Sequence, residues 1–453
     1  MRHRLLHLVL TTLLLVGVVA CADNSTDQSE ARIARIENGL MPLVRIEGRD
    51  PVRFSMEGRL AELGIPGVSA AVVVDGEIAW AKAWGMADIA AGRPMDVDTM
   101  LLAGSISKPV SALRALQLAE QGVFDLDENV NAYLTSWQVP DNEFTETEKV
   151  TIRRILNHSA GLTVWGVPGY DKGDDVPSVV EVLDGLGNTD PVRVFRAPGE
   201  AWQYSGGGTT IMQLAVTDQE GVSFPATMQS NVLDPMRMQG STFENPLPEK
   251  YHAIAATGYR ANGDEVEGKW PIYPEMAAAG LWTKPSELIQ YAIEIQRIYQ
   301  TGKDGILDHV TVMEMLTPGL EDFGLGPVVS EHTFSHGGAD EGFRAHLVAW
   351  KDSPYAAVVM VNSDNGRVIR ELLLSIVEEY GLPGIEQEIR TVADVPVEQI
   401  SRFEGDYELP EIGTIQISRV ENRLIMTSDA IDPPIEVLPQ SSTEFFDVGD
   451  GRI

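Results

Sequence analysis

The sequence predicts an α/β fold: one mainly antiparallel sheet flanked by helices, a helical lobe in its middle, and a small β-domain at the C-terminal end. Three observations carry that expectation. Strand-like apolar runs stand early, at Val68 to Val74 and Glu77 to Trp84, and again late, at Leu325 to Val329 and Ala345 to Val361. Between them the apolar spacing is helical, at Pro109 to Gln121, Val150 to Leu156, Thr209 to Val216 and Ser286 to Gln300. After about residue 395 the pattern returns to short strands: Thr414 to Arg419, Arg423 to Thr427, Ile435 to Leu438 and Glu444 to Val448. A chain of 453 residues with 43% hydrophobic content has room for one large domain and an appendage.

In chain order, residues 1–20 read as an export leader. Arg2 and Arg4 give a positive start, and Leu5 to Ala20 is mostly apolar but too short to span a bilayer. Val18-Val19-Ala20-Cys21 resembles a bacterial lipobox, in which the cysteine is lipidated after cleavage. Cys21 is the single cysteine of the chain, so it can form no internal disulfide. Residues 21–44 then read as a lipidated tether and N-terminal extension, which predicts a lipoprotein of the cell envelope, anchored to a membrane through lipid alone. The formal charge of −33 becomes more negative once Arg2 and Arg4 are removed. A field of that sign repels phosphate backbones and argues against nucleic acid as a partner.

The main domain is expected over residues 45–385. Val68 to Trp84 reads as a hairpin turning at Asp75-Gly76. Thr283-Lys284-Pro285 is a helix start, and Arg367 to Tyr380 a closing helix. The region 395–453 is expected to form the small β-domain, an incomplete barrel or sheet with no catalytic residue.

Three stations carry chemistry. The first is Ser105-Ile106-Ser107-Lys108, leading into the helical run from Pro109. Residues three apart share a helix face, so the Ser105 hydroxyl and the Lys108 ammonium are expected side by side. A serine at a helix start also has unpaired N–H groups beside it, and a partly desolvated lysine can take its proton. Pro109 lacks an N–H and is tolerable only in a first turn, which fixes the helix start near Ser105. The second station is Pro198 to Gly208, with Tyr204 ahead of Gly206-Gly207-Gly208, where absent side chains let another backbone or a substrate approach. The third is Phe334-Ser335-His336-Gly337-Gly338-Ala339, followed by Glu341-Gly342-Phe343-Arg344.

In order and spacing these stations resemble the family of class C β-lactamases, D-alanyl-D-alanine carboxypeptidases, D-aminopeptidases and related esterases, with their transpeptidase-like fold. Leu156-Asn157-His158-Ser159-Ala160-Gly161-Leu162 is similar to that family's buried turn. The resemblance implies that Ser105 is the nucleophile, acylated by substrate, and that Lys108 takes its proton or assists the group that does. It implies that Tyr204 shuttles protons to the leaving group, and that the N–H groups of Ser105 and Ala339 form the oxyanion hole. His336, Gly337 and Gly338 would bind substrate, with no metal and no cofactor. The implied reaction is hydrolysis of a small ester or a peptide-like amide, of esterase or D-amino-acid peptidase type.

Two departures weaken the β-lactamase alternative. Tyr204-Ser205-Gly206 stands where those enzymes have Tyr-x-Asn, and His336-Gly337-Gly338 where they have Lys-Thr-Gly. An ammonium is thereby replaced by a group that ordinarily titrates near neutrality. His336 reads equally as a strand histidine satisfied by a backbone carbonyl. His158 reads as a packing residue, and Arg344 as half of a structural ion pair. A non-catalytic binding or sensor protein is the alternative of another class; intact Ser105, Lys108 and Tyr204 speak against it. A zinc hydrolase is disfavoured by the lack of H-E-x-x-H, and an α/β-hydrolase by the lack of G-x-S-x-G.

Overall fold

The structure, a computed structural model, describes residues 29–409, 413–420, 423–428 and 431–447. The expected leader and Cys21 lie outside the described residues, as does the end of the last expected strand. The chain divides into two compact units. One spans Arg59–Ile369; the other joins the described residues up to Gly58 to those from Arg370 onward.

The larger unit is built on a seven-stranded sheet. Its hairpin pairs β1 (Gly67–Val74) with β2 (Glu77–Asp88) through Val74↔Glu77. Asp75 and Gly76 both have positive φ, 54° and 80°, the two-residue turn whose twist suits a right-handed strand pair. The helix carrying the first station, α1 (Ser107–Glu120), follows a single 3₁₀ turn, Gly104–Ile106. The helical lobe then supplies α2 (Gly206–Glu220), and α3 (Pro285–Thr301) opens on its proline. The chain returns to the sheet as β3 (Thr333–Asp340), β4 (Phe343–Trp350) and β5 (Ala356–Val361), joined by antiparallel pairing.

Across the sheet the labelled strands run β2-β1-β5-β4-β3, with Arg93–Pro94 outside β2 and Val328–Val329 outside β3. The early hairpin pairs with the late strands through β1 and β5, all antiparallel, so the two ends of the unit close one sheet. β1 and β5 are buried almost throughout, as continuous apolar runs at a sheet centre require. One hydrophobic core joins sheet, α1, α2 and α3. The sequence reading of Leu325 to Val329 as a strand shrinks to Val328–Val329, and the glycine-bearing third station is itself a strand, β3.

The smaller unit holds helix 29–37, the parallel pair Val44–Ile46 with Glu388–Arg390, and most of α4 (Arg367–Tyr380). Arg35 pairs with Glu379 and Arg53 with Glu378, both at 2.6 Å. Five strands follow as an antiparallel meander: β6 (Gly405–Leu409), β7 (Gly413–Val420), β8 (Arg423–Ser428), β9 (Ile431–Pro439) and β10 (Phe445–Asp447). Val44 and Ile46 share a small apolar cluster with Leu438 and Phe446. The meander therefore draws on residues before 58, where the sequence alone placed its start near 395.

Candidate active site

Local backbone sterics explain how Ser105 reaches the sheet. Gly104 sits at φ +54° directly against Ala339, and a Cβ there would strike the Ala339 nitrogen. A Cβ on Gly338 would strike the Ala103 carbonyl oxygen. Two backbones in direct contact thus bring the N–H-bearing segments of Ser105 and Ala339 together.

Ser105 lies in the 3₁₀ turn and Lys108 in the first turn of α1. The Lys108 Nζ donates to Ser105 Oγ at 3.0 Å and to the Ala278 carbonyl at 2.9 Å. Lys108 is 5% exposed, so most of its alkyl chain and ammonium are removed from water. Pro109 falls in the first helical turn, where its missing N–H leaves no gap.

The segment bearing Ala278 is fixed from two sides. Gln213 of α2 donates to Pro274 O at 3.0 Å and accepts from Ala277 N at 2.8 Å. Ser107 Oγ accepts from Leu281 N at 3.0 Å, and Ala103 N donates to Leu281 O at 2.9 Å. One short segment therefore orients both the lysine and the turn that carries Ser105.

Tyr204 precedes α2 and is nearly buried. The Lys108 ammonium lies 4.8 Å from its ring centroid, a cation–π contact in a dry site. Ser205 caps α2, accepting from Gly208 N at 2.9 Å and donating to Thr163 O at 2.7 Å. Gly206 N donates to Trp165 O at 3.0 Å and Gly207 N to Val164 O at 3.1 Å. Of the two approaches the glycine run allowed, the structure realises that of another backbone: the loop at 163–165 docks on it.

That loop belongs to an aromatic group around Tyr204. Ring centroids lie 4.3 Å away for His158, 5.5 Å for Trp165, 6.4 Å for Trp202, 6.1 Å for Phe323 and 6.3 Å for His336. His158, Trp165, Trp202 and Phe323 escaped the sequence reading as site residues. The signal for His158 was its place in the Asn157 to Leu162 turn, and for Trp202 its place in the second station; Trp165 and Phe323 come from separate loops, and neither residue was itself marked by a motif.

On β3, His336 is buried and its Nδ1 is 2.6 Å from the Gly337 carbonyl, while its Nε2 has no hydrogen-bond partner. Burial, then the Lys108 charge, push it down to about 3, so it is a neutral imidazole across the neutral range. This corrects the expectation of a near-neutral titration: desolvation removes it. Gly337 is exposed, whereas Gly338 is the backbone contact described above. Burial also pushes Asp340, at the end of β3, up to about 8 and Glu275 up to about 7. Arg344 pairs with Asp364 at 2.9 Å, a structural ion pair as read from the sequence. Among the described residues no group of His, Cys, Asp and Glu could hold a metal ion.

The beta-lactamase family matches residues 54–378. The chain is 29% identical to the esterase EstB of Burkholderia gladioli over 223 residues, covering 45% of this chain and 56% of the esterase. It is 21% identical to penicillin-binding protein 4* of Bacillus subtilis over 403 residues, covering 82% and 85% of the two chains. A D-aminopeptidase of Brucella anthropi is 25% identical over 341 residues, 73% of this chain and 62% of that protein. Among solved structures, the octameric penicillin-binding protein homologue from Pyrococcus abyssi shares the fold at a TM-score of 0.63 and 20% identity, covering 84% and 89% of the chains. Members of the matched family are typically serine hydrolases. By a match that spans most of its length, and by the stations that place a serine against a buried lysine, this chain belongs to the beta-lactamase family.

Proposed function

We propose that the protein is a serine hydrolase that forms an acyl-enzyme on Ser105 and cleaves small esters or peptide-like amides. We place it at the cell envelope, held by a lipid on Cys21, which the leader pattern supports. The observation that carries the chemistry is the 3.0 Å contact between Lys108 Nζ and Ser105 Oγ. In its neutral amine form a lysine so placed accepts the hydroxyl proton, becoming the ammonium, as Oγ bonds to the substrate's acyl carbon. The carbonyl electron pair moves onto oxygen, where the N–H groups of Ser105 and Ala339 stabilise it. Collapse expels the alcohol or amine, which takes up the proton with the help of Tyr204. Water then hydrolyses the acyl-serine by the reverse proton path.

Of the relatives' activities, esterase or D-amino-acid peptidase chemistry has more support than β-lactam hydrolysis. Neither an amide at 206 nor an ammonium at 336 is present to hold a β-lactam's polar groups. Intact-mass spectrometry with a fluorophosphonate probe tests the proposal on protein beginning after Cys21. One adduct on the wild type and none on Ser105→Ala is the expected result. Folded wild-type protein without an adduct would overturn it.

A further inference from the structure

Trp165 is 66% exposed although it belongs to the ring group packed around Tyr204. A lone exposed tryptophan is ordinary; this one is held in place by construction. Val164 before it adopts φ +63°, a conformation that a β-branched residue rarely takes. The N–H groups of Gly206 and Gly207 fix the Val164 and Trp165 carbonyls in that turn. From a second loop, Phe323 follows Glu321 and Asp322, both again at positive φ, 50° and 61°, and its ring lies 5.3 Å from that of Trp202. Two unfavourable backbone turns thus present aromatic rings at one place, next to the Lys108–Tyr204 pair. Backbone strain of this kind persists where the surroundings enforce it and concentrates at ligand clamps.

The charges around the site point the same way. Lys108 is engaged by Ser105 and Ala278, Arg344 by Asp364, and His336 is neutral. The buried carboxyls Asp340 and Glu275 add nothing that would attract an anion.

We infer that Trp165, with Trp202 and Phe323, forms the wall that receives a flat apolar or aromatic group beside the scissile carbonyl, so that the substrates are neutral aryl-bearing esters or amides. This rests on the acyl-enzyme reading above. Trp165 acts as a specificity residue: it contacts the substrate's apolar group and none of the bonds that change.

Hydrolysis of methyl acetate, phenyl acetate and methyl phenylacetate by wild type, Trp165→Ala and Trp165→Phe tests the assignment. Trp165→Ala is expected to lose about tenfold or more in kcat/KM on at least one aryl ester while staying within about threefold on methyl acetate. The aryl ester that suffers identifies the side of the carbonyl on which the wall lies. Trp165→Phe restores most of the loss. If Trp165→Ala changes all three esters alike, or none, while Ser105 still takes the fluorophosphonate, the wall is wrong and the hydrolase reading stands. If wild type neither labels nor hydrolyses any ester, both are wrong.

Discussion

His158 grips the backbone on both sides of Tyr204 while stacking on its ring. Its carbonyl accepts from Gln203 N at 2.7 Å, its Nδ1 accepts from Ser205 N at 3.3 Å, and the two ring centroids are 4.3 Å apart. Burial holds His158 well below the ordinary histidine value, which favours the neutral ring whose Nδ1 accepts from Ser205 N. His158 is therefore a positioning residue for Tyr204. His158→Phe keeps a ring and removes the acceptor, leaving the buried Ser205 N–H unpaired. It should cost about 1–3 kcal/mol of stability. Thermal unfolding measures that cost. Steady-state kinetics on any accepted ester should show kcat falling by more than KM rises, because the bound substrate meets a misplaced tyrosine.

Two buried imidazoles work against stability in acid. His336 is pushed down to about 3 and His158 also downward, against an ordinary value of 6.5. The unfolded chain takes protons near 6.5 that the folded chain refuses. The stability contributed by the neutral imidazoles is complete above 6.5 and is lost as pH falls from there towards 3. Because buried acids act in the opposite direction, the histidine contribution is read as a difference: His336→Gln, which has no imidazole to protonate, should gain melting temperature relative to wild type as pH falls from 6.5 to 4.5. A constant difference between wild type and variant over that range would show that His336 contributes nothing to the pH dependence.

The opposite slope comes from two buried acids. Asp340 is raised to about 8 by burial, against the opposing pull of Lys108, Arg344, the Tyr273 hydroxyl and the Gly104 N–H. Glu275 is raised to about 7. Both are protonated in the fold where the unfolded chain has already lost those protons. Their contribution is complete below about 4, and it declines until the folded carboxyls ionise near 7 and 8. Asp340→Asn, which copies the protonated shape, should gain stability relative to wild type between pH 5 and 9. Paired melting curves at those two pH values read the gain directly.

How much of this was legible in the sequence depended on whether the signal was local. The Asp75-Gly76 turn, the helix start at Pro285 and the Ser105–Lys108 pair are set by residues within four positions of each other, where periodicity and turn chemistry suffice. The contribution of Val44 and Ile46 to the C-terminal unit is a contact across almost the whole chain, and no local pattern announces it. The neutrality of His336 was hidden for a different reason. Its residue type suggested titration, whereas its burial is completed by residues far away in the sequence, the rings of Tyr204 and Phe323 among them. The triple glycine was legible as a place of close approach but silent on what approaches.

The contact between Gly338 and Ala103 gives the sharpest test of how the oxyanion donors are assembled. A methyl at Gly338 meets backbone, not a movable side chain, so Gly338→Ala must separate β3 from the 3₁₀ turn that carries Ser105. The Lys108 contacts run to Ser105 and Ala278, not to β3, and need not break. Gly338→Ala should therefore keep a reactive nucleophile that has lost its alignment with the Ala339 N–H. Loss of one such donor reduces turnover by about 10²–10³. Ester hydrolysis should fall by that order while the folded protein, verified by its unfolding transition, still binds substrate with a KM within a few-fold of wild type. Turnover near the wild-type rate in a folded Gly338→Ala variant would remove Ala339 from the oxyanion hole.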